Sequence, residues 1–212
     1  MLTHLLGFCL ALILHYLLVT HKRPILLRIA GLYIVVLDHV FTPRRSITTL
    51  LLALTALRSL PPVHTVAEPG CGTNTAGLIV AKSLLPKRLI ATDISTRALY
   101  NAKLNARLNR LDAIVDYALC NWLDCIRPKA VDASLLNPPY LPCPYTFSRE
   151  LCGGLRLEVL LNAIASTVKA SHQVLLAISS LSLNLLNKPR GSKTRIEVEL
   201  YRFEKIYVVA VG

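Results

Sequence analysis

The chain has 212 residues and a mass of 23.4 kDa, which is long enough to bury the core of one α/β domain or two very small ones. Hydrophobic residues make up 53% and the mean hydropathy is +0.50, which excludes a disordered chain, a collagen and a coiled coil. The 24 Lys and Arg against 12 Asp and Glu give a net charge of +12, and a field of that sign favours an anionic partner such as RNA, the ribosome or an acidic protein face.

The N-terminal segment is apolar. Residues 2–20 carry almost only apolar side chains and are followed by His21-Lys22-Arg23, and as a helix they would be about 28 Å long, close to the thickness of a bilayer core. A secretory signal is not expected, because a basic n-region and a small-residue cleavage site are missing. We expect residues 1–24 to form an apolar helix. Packing on the core or a partner, or a wrongly assigned start, is favoured over a membrane anchor.

Beyond Pro24, short apolar runs alternate with helical stretches. Residues 25–37 predict one or two short strands around Gly31, and residues 46–59 predict a helix that stops before Pro61-Pro62. Further strands are predicted at 63–67, 88–92, 113–119, 132–136, 173–179, 195–203 and 205–211, and further helices at 74–85, 96–109, 155–170 and 181–187. This order predicts an α/β fold: a Rossmann-like, doubly wound, mostly parallel sheet of seven strands with a C-terminal antiparallel hairpin. No linker divides residues 25–212, so we expect one domain there.

The six cysteines, at positions 9, 71, 120, 125, 143 and 152, show no CxxC or His/Cys spacing typical of zinc. No metal site is predicted. We expect mostly reduced thiols in a cytoplasmic protein, with disulfides as the alternative in a protein from a hyperthermophile. Association with a membrane through residues 2–20 is the alternative location.

The first motif with chemical meaning is Glu68-Pro69-Gly70-Cys71-Gly72-Thr73-Asn74, between a predicted strand and a predicted helix. Gly70 and Gly72 let the backbone approach a ligand closely, and the helix N-terminus supplies N–H donors. The Glu68 carboxylate would repel a pyrophosphate and attract a positively charged ligand, which favours S-adenosylmethionine over a dinucleotide. A tight strand-to-helix turn without a ligand is the alternative.

Asp93 ends the next predicted strand, about 20 residues beyond the glycines, where a carboxylate can accept hydrogen bonds from both ribose hydroxyls of a nucleoside. A cap on the following helix is the alternative role for Asp93.

Asn137-Pro138-Pro139-Tyr140 directly follows the strand predicted at 132–136. Two prolines cannot continue a central strand, so the chain leaves the sheet at its carboxyl edge. The Asn137 side-chain oxygen and the Pro138 carbonyl would form a socket for a planar NH₂ group, with Tyr140 as a flat wall.

These motifs resemble the class I S-adenosylmethionine-dependent methyltransferases, and within them the short form of the HemK/PrmC-type N5-glutamine methyltransferases. The resemblance covers about residues 32–212 and includes Phe41-Thr42-Pro43 as an aromatic-x-Pro element and a Gly-Gly…Glu segment at 153–158. Three departures stand out: residues 44–47 replace an acid and a Thr or Ser, Asn121 replaces an acid near the adenine, and Asn74 replaces the third glycine. The resemblance implies that residues 25–212 form a methyltransferase domain.

The resemblance, with the motifs, assigns three groups of site residues. The cofactor S-adenosylmethionine would be held by Glu68, Gly70, Cys71, Gly72, Asn74, Asp93, Ile94, Asn121, Trp122 and Asn137. Catalysis would use Asn137, Pro138 and Tyr140, and the substrate would contact Pro139, Tyr140, Phe41 and Pro43. The implied reaction is methylation of the Gly-Gly-Gln glutamine of a peptide-chain release factor, with a small zinc-binding activator subunit as a further partner.

Three alternatives stay open at this level. An exocyclic amine of adenine or cytosine in RNA or DNA fits the same socket, and Tyr140 could stack on a flipped base. Another protein side chain, such as lysine, could be the acceptor. A non-catalytic binding subunit with the same fold is the third.

Overall fold

The computed structural model describes residues 23–45, 47–141, 143–144, 152–154, 156–183, 193–201 and 204–211. The predicted N-terminal helix lies outside these residues except for its last two positions, and so does Cys9. In the described ranges, no helix combines the length and the apolar character that a bilayer crossing requires.

The chain begins with a hairpin of β1 (Ile25–Ile29) and β2 (Leu32–Val36), which forms a separate two-stranded sheet. Seven further strands form the main sheet: β3 (Thr65–Pro69), β4 (Arg88–Asp93), β5 (Val115–Leu119), β6 (Val131–Leu136), β7 (Ser171–Ser179), β8 (Lys193–Tyr201) and β9 (Glu204–Val211). Their order is β5-β4-β3-β6-β7-β9-β8, and only β9 runs antiparallel to its neighbours β7 and β8. The predicted mostly parallel sheet with a C-terminal antiparallel hairpin is confirmed.

Five α-helices are described: α1 (Ile47–Ser59), α2 (Thr75–Leu84), α3 (Thr96–Leu108), α4 (Glu158–Ala170) and α5 (Ser180–Leu183). The helix predicted from residue 155 begins three residues later, because Gly154 and Leu157 have positive φ angles of 92° and 55° that no α-helix contains. The strand predicted from residue 113 begins at Val115, after a 3₁₀ turn over Asp112–Ile114. Most of the helix predicted at 181–187 lies outside the described residues.

The strand order reverses between β3 and β6. From β3 the chain passes through α2 to β4 on one side, and from β6 through α4 to β7 on the other. Because such crossovers are right-handed, α2 and α4 lie on opposite faces of the sheet. In open α/β sheets, ligands bind outside the carboxyl ends of the strands at this reversal. Val66 pairs with Ala133 and Ala67 with Ser134, so the loops after β3 and β6 leave the sheet side by side.

The central strands are covered on both faces. In β6, the consecutive residues Leu135 and Leu136 are both fully buried, although successive side chains of a strand point to opposite faces. β7 is buried from Val174 through Ser179. This is the pattern of parallel strands between two helical layers, and it leaves the strand ends as the exposed part of the sheet.

The N-terminal hairpin is attached to α3 by three asparagine side chains. The Oδ1 atoms of Asn101, Asn105 and Asn109 accept the N–H groups of Leu37, Val35 and Tyr33 at 2.8, 2.8 and 2.9 Å. Their Nδ2 groups donate to the carbonyls of Val35 and Tyr33 at 2.7–2.9 Å. Four residues of a helix rise about 6 Å, and two residues of a strand rise about 6.6 Å. Because these spacings nearly match, one asparagine from each helical turn meets every second residue from Tyr33 to Leu37.

Candidate active site

The loop after β3 is a tight passage from strand to helix. Gly70, Gly72 and Asn74 have φ angles of 64°, 50° and 57°, a left-handed conformation that glycine adopts freely and asparagine tolerates. The Cys71 N–H donates to the carbonyl of Thr92 in β4 at 2.9 Å, which holds the loop across the neighbouring strand. Asn74, which replaces the third glycine, thus has the left-handed conformation of Gly70 and Gly72.

Glu68, the second-last residue of β3, is a buried carboxyl that is 6% exposed. Its Oε2 accepts the Gly77 N–H at 2.6 Å, in the first turn of α2. Burial raises the pKa of Glu68 to about 8, and the nearby Asp93 charge adds to the rise, whereas the N–H groups of Gly77 and Ala76 oppose it. At neutral pH this group is therefore mostly neutral, which the sequence did not predict.

Asp93 connects the end of β4 to the glycine loop. Its Oδ2 accepts the Gly72 N–H at 3.0 Å and its Oδ1 accepts the Ser95 N–H at 2.9 Å. Burial raises the pKa of Asp93, and its backbone partners oppose that rise. The cap of α3 is supplied by Ser95, whose Oγ accepts the Ala98 N–H at 3.3 Å. The Asp93 carboxylate thus positions the loop rather than the helix.

Ile94 and Trp122 provide apolar surface next to these carboxyls. Ile94 is 58% exposed, directly after Asp93. The Trp122 ring lies over Gly70, because a Cβ built on Gly70 would be 2.9 Å from Cζ3 of the indole. Beside Trp122, the Asn121 Nδ2 donates to Asp124 Oδ2 at 3.0 Å, which orients the amide predicted to meet the adenine.

The aromatic-x-Pro element lies beside the glycine loop. The Phe41 Cβ is 4.0 Å from the position that a Cβ on Gly72 would take. Pro43 is buried and begins a 3₁₀ turn over Pro43–Arg45, and the Thr42 Oγ1 accepts the Arg44 N–H at 3.3 Å. Phe41 and Pro43 are predicted from the sequence to contact the substrate, and Phe41 lies next to the predicted cofactor loop.

The Asn-Pro-Pro-Tyr motif follows β6 at the edge where the glycine loop follows β3. By the register of the two strands, Asn137 is as far beyond Ser134 as Gly70 is beyond Ala67. Asn137 is half-buried and Pro138 is buried. Tyr140 is only 8% exposed and belongs to the main core, and the Ser182 hydroxyl donates to its carbonyl. Tyr140 is therefore more enclosed than a residue that stacks on a base from solvent.

The Gly-Gly…Glu segment packs directly behind this motif. A Cβ on Gly153 would be 2.7 Å from the Pro139 carbonyl oxygen, so only glycine allows this approach. The Gly153 N–H donates to the Leu141 carbonyl at 2.8 Å, and its carbonyl accepts the Val159 N–H at 3.0 Å. The Glu158 carboxyl folds over Gly154. The segment thus links the start of α4 to the Asn-Pro-Pro-Tyr backbone.

Two disulfides close the loops of this edge. Cys120 is bonded to Cys125 around Asn121 and Trp122, and Cys143 is bonded to Cys152 after the Asn-Pro-Pro-Tyr motif. The expectation of reduced thiols is wrong for these four cysteines. Cys71 is free and buried. The sequence could not give the pairing, because it depends on two loops that bring their ends to Cα separations of 6.0 and 5.0 Å.

The charge of the crevice suits a cation. Asp93 lies close enough to Glu68 for its charge to raise the pKa of Glu68, and neither carboxyl forms an ion pair with a basic side chain among the described residues. The two glycines leave bare backbone beside them. These features fit a ligand with positive charge and a nucleoside, as S-adenosylmethionine has. Within the described part of the chain, no three His, Cys, Asp or Glu residues are grouped as a metal site.

Asn105 supports the glycine loop, and it is not among the site residues predicted from the sequence. Besides its bonds to Val35, its Nδ2 donates to the carbonyl of Thr73 in the glycine loop at 3.0 Å. The signal in the sequence that could have indicated this role is an asparagine every four residues, at 101, 105 and 109, within a predicted helix. Asparagine is a weak helix former, so its repetition there is unusual. Such spacing marks one helical face with a polar role.

Residues 34–142 match the family model described as "Methyltransferase small domain". This is more than half of the chain, and it contains the glycine loop, Asp93 and the Asn-Pro-Pro-Tyr motif. The chain belongs to this family of class I S-adenosylmethionine-dependent methyltransferases.

Two curated relatives are both named release factor glutamine methyltransferase. The protein from Moorella thermoacetica is 39% identical over 79 residues, which is 37% of this chain and 28% of that relative. The protein from Borreliella burgdorferi is 38% identical over 71 residues, which is 34% of this chain and 24% of that relative. The matches thus span about a quarter of the length of these relatives.

Solved structures share the fold. Ribosomal protein L11 methylase from Lactobacillus delbrueckii subsp. bulgaricus has a TM-score of 0.57 at 21% identity, covering 77% of this chain and 78% of that one. Methanocaldococcus jannaschii Trm5 in complex with adenosine has a TM-score of 0.61 at 12% identity, covering 90% and 55%. The N-terminal domain of human METTL16 in complex with SAH has a TM-score of 0.57 at 16% identity, covering 85% and 75%.

Proposed function

We propose that this protein transfers the methyl group of S-adenosylmethionine to the side-chain nitrogen of a glutamine, in the Gly-Gly-Gln segment of a peptide-chain release factor. The observation that carries the proposal is the Asn-Pro-Pro-Tyr motif at the carboxyl end of β6, beside the glycine loop after β3. The Gly-Gly…Glu segment packed against it and the names of the two curated relatives favour glutamine as the acceptor.

The cofactor half of the proposed site lies on β3, β4 and the loop after β5. Glu68 and the glycine loop would bind the charged end, Asp93 the ribose, and Ile94, Asn121 and Trp122 the adenine. S-adenosylmethionine supplies a methyl group on a sulfonium, which is already a good leaving group. The chain therefore needs to bind, orient and shield, and we assign no general base.

The half of the proposed site that binds the methyl acceptor, at Asn137 and Pro138, would make the acceptor nitrogen more reactive. The nitrogen of an amide is a poor nucleophile, because its lone pair is delocalised into the carbonyl. Asn137 Oδ1 and the Pro138 carbonyl would each accept one N–H of the acceptor, which aims the lone pair at the methyl group. Such positioning is a large part of catalysis when no strong base is needed. The fixed φ angles of Pro138 and Pro139 make the two acceptors rigid.

The substrate is tested with S-adenosylmethionine labelled in its methyl group. The purified protein is incubated separately with a release factor, total RNA and duplex DNA, each with a parallel sample without protein. We expect label in the release factor, on the Gly-Gly-Gln glutamine identified by peptide mass spectrometry. Label only in RNA or DNA would replace glutamine by a base amine as the acceptor and overturn the proposal.

The socket is tested by Asn137→Ala. We expect turnover to fall by about 100-fold or more, because one of the two acceptors that orient the nitrogen is lost. Binding of S-adenosylhomocysteine, measured by calorimetry, should persist. Asn162→Ala, the same substitution at an exposed position of α4, is the matched control and should keep full turnover. Unchanged turnover in Asn137→Ala would contradict the assignment of the socket.

A further inference from the structure

The amide of Asn74 is buried without a partner. Asn74 is 0% exposed, and neither its Nδ2 nor its Oδ1 has a hydrogen-bond partner among the described residues. It occupies the position before α2, yet its side chain does not cap the helix. Burying an amide without hydrogen bonds removes its contacts with water and replaces them with none, which destabilises the protein. A buried, unpaired group of this kind therefore requires an explanation.

The Glu68 carboxyl lies next to the Asn74 amide, on the same side of Gly77. A Cβ built on Gly77 would be 2.5 Å from Asn74 Oδ1 and 2.7 Å from Glu68 Oε2, so both oxygens lie beside one point. An ionised carboxylate can only accept hydrogen bonds, as can the amide oxygen. The two oxygens therefore repel each other unless Glu68 carries a proton.

We propose that Glu68 and Asn74 form a proton-binding pair, in which the protonated Glu68 carboxyl donates to the Asn74 amide oxygen in the ligand-free protein. The pair gives Glu68 a donor role and gives the Asn74 oxygen the partner it lacks. This explains why an amide is accommodated where the motif of similar enzymes has a glycine, which could not form the bond.

The surroundings of the pair favour its neutral form. The groups facing Glu68 are Asp93 from the end of β4 and the Cys71 thiol from the glycine loop. The charge of Asp93 raises the pKa of Glu68, and burial raises the pKa of Cys71, which favours the neutral thiol. The N–H groups of Gly77 and Ala76 are the groups that stabilise the carboxylate form. Burial outweighs them, and the pKa of Glu68 is raised to about 8.

A consequence for binding rests on the proposed function. A cationic cofactor needs the Glu68 carboxylate, so its binding must release the proton of the pair to solvent. As the pH is lowered below about 8, the affinity for the cofactor should therefore fall by up to about tenfold for each pH unit. Above about pH 8 this affinity should no longer change with pH. At pH 7, binding of one cofactor should release about one proton.

The pair is tested first without any cofactor, by infrared difference spectroscopy between pH 6 and pH 10. We expect the C=O stretching band of a protonated carboxyl to disappear with rising pH, with a midpoint near 8. The band should be missing in Glu68→Gln and present in Asp116→Asn, which removes an exposed carboxyl. A wild-type spectrum without such a band, or a band that survives in Glu68→Gln, would overturn the proposal.

The role of Asn74 is separated from burial alone by Asn74→Gly. Loss of the acceptor should lower the midpoint for Glu68 by about one pH unit, since a hydrogen bond to a neutral acid favours the neutral form. If the amide is turned so that Nδ2 faces Glu68, the same variant raises the midpoint. An unchanged or raised midpoint would therefore overturn the pair.

Calorimetry of S-adenosylmethionine binding in buffers with different protonation enthalpies then measures the coupled proton. We expect release of about one proton at pH 7 in the wild type and none in Glu68→Gln. Binding without proton release would contradict the coupling. Failure of the cofactor to bind would contradict the proposed function, whereas the infrared result decides the pair in either case.

Discussion

Gly70 and Gly72 have the same backbone conformation and different surroundings. Both have positive φ angles, which cost any residue with a Cβ about 1–2 kcal/mol. A methyl group on Gly70 would also contact the Trp122 ring at 2.9 Å, whereas the nearest atom to a methyl group on Gly72 is 4.0 Å away. Glycine is thus required at position 70 by both the backbone conformation and the Trp122 ring, and at position 72 by the backbone conformation.

This difference gives a matched pair of substitutions. Gly70→Ala should lower the free energy of unfolding by about 2–4 kcal/mol, because overpacking adds to the backbone strain. Gly72→Ala should lower it by about 1–2 kcal/mol. Urea unfolding followed by the fluorescence of Trp122, the single tryptophan of the chain, measures both. Equal losses in the two variants would show that the indole does not lie over Gly70.

At the level of elements, the asparagine side chains of α3 replace a neighbouring strand at the free edge of β2. Each asparagine amide offers one acceptor and one donor, the same groups that a peptide unit of an adjacent strand offers. The three side chains therefore pair the free edge of the hairpin without another strand. Asn105 extends this connection to the carbonyl of Thr73, so one amide joins the hairpin, α3 and the glycine loop.

Asn105→Ala and Asn109→Ala separate attachment of the hairpin from support of the loop. Asn105→Ala should cost about 2–3 kcal/mol, because it leaves several enclosed backbone groups unpaired, and it should weaken binding of S-adenosylhomocysteine. Asn109→Ala should cost about 1 kcal/mol or less, since its bonds to Tyr33 are exposed, and should leave binding unchanged. Urea unfolding and calorimetry give the two readouts. Equal effects on ligand binding would contradict a separate role for Asn105.

For the whole molecule, a chain with a net charge of +12 has two acidic residues, Glu68 and Asp93, in the crevice beside the glycine loop and the start of α2. The general positive field attracts anionic partners, whereas the local carboxyls select a cation. The two disulfides hold the loops on either side of this crevice, one around Trp122 and one after the Asn-Pro-Pro-Tyr motif. The disulfides therefore stabilise the loops beyond the strand ends, which the hydrogen bonds between the strands do not hold in place.

Reduction should lower the stability of the whole domain. Closing loops of five to ten residues stabilises a protein by roughly 2 kcal/mol for each disulfide in the chain-entropy model. We expect the urea midpoint to fall when a phosphine reductant is added. The double variant Cys143→Ser/Cys152→Ser should show a smaller fall on reduction, because only the Cys120–Cys125 bond is left among the described pairs. Insensitivity of the wild type to reductant would contradict both bonds.

Features that depend on neighbours in the chain follow from the amino-acid order. Runs of apolar residues separated by helical stretches predicted the parallel sheet, since a strand covered on both faces must be apolar throughout. Glycine and proline have conformations that no distant contact changes. They therefore marked the loop after β3 and the exit from β6 in advance, and with them the edge where the candidate site lies.

Features that depend on residues far apart in sequence follow from the folded arrangement and could not be predicted beforehand. The pairing of the four cysteines, the attachment of β2 by Asn101, Asn105 and Asn109, and the enclosure of Tyr140 each require elements that meet after folding. The raised pKa of Glu68 is a feature of the same kind. A carboxyl has its ordinary pKa in the extended chain, and it changes when α2, β4 and the glycine loop close around it and exclude water, which removes the solvation of its charge.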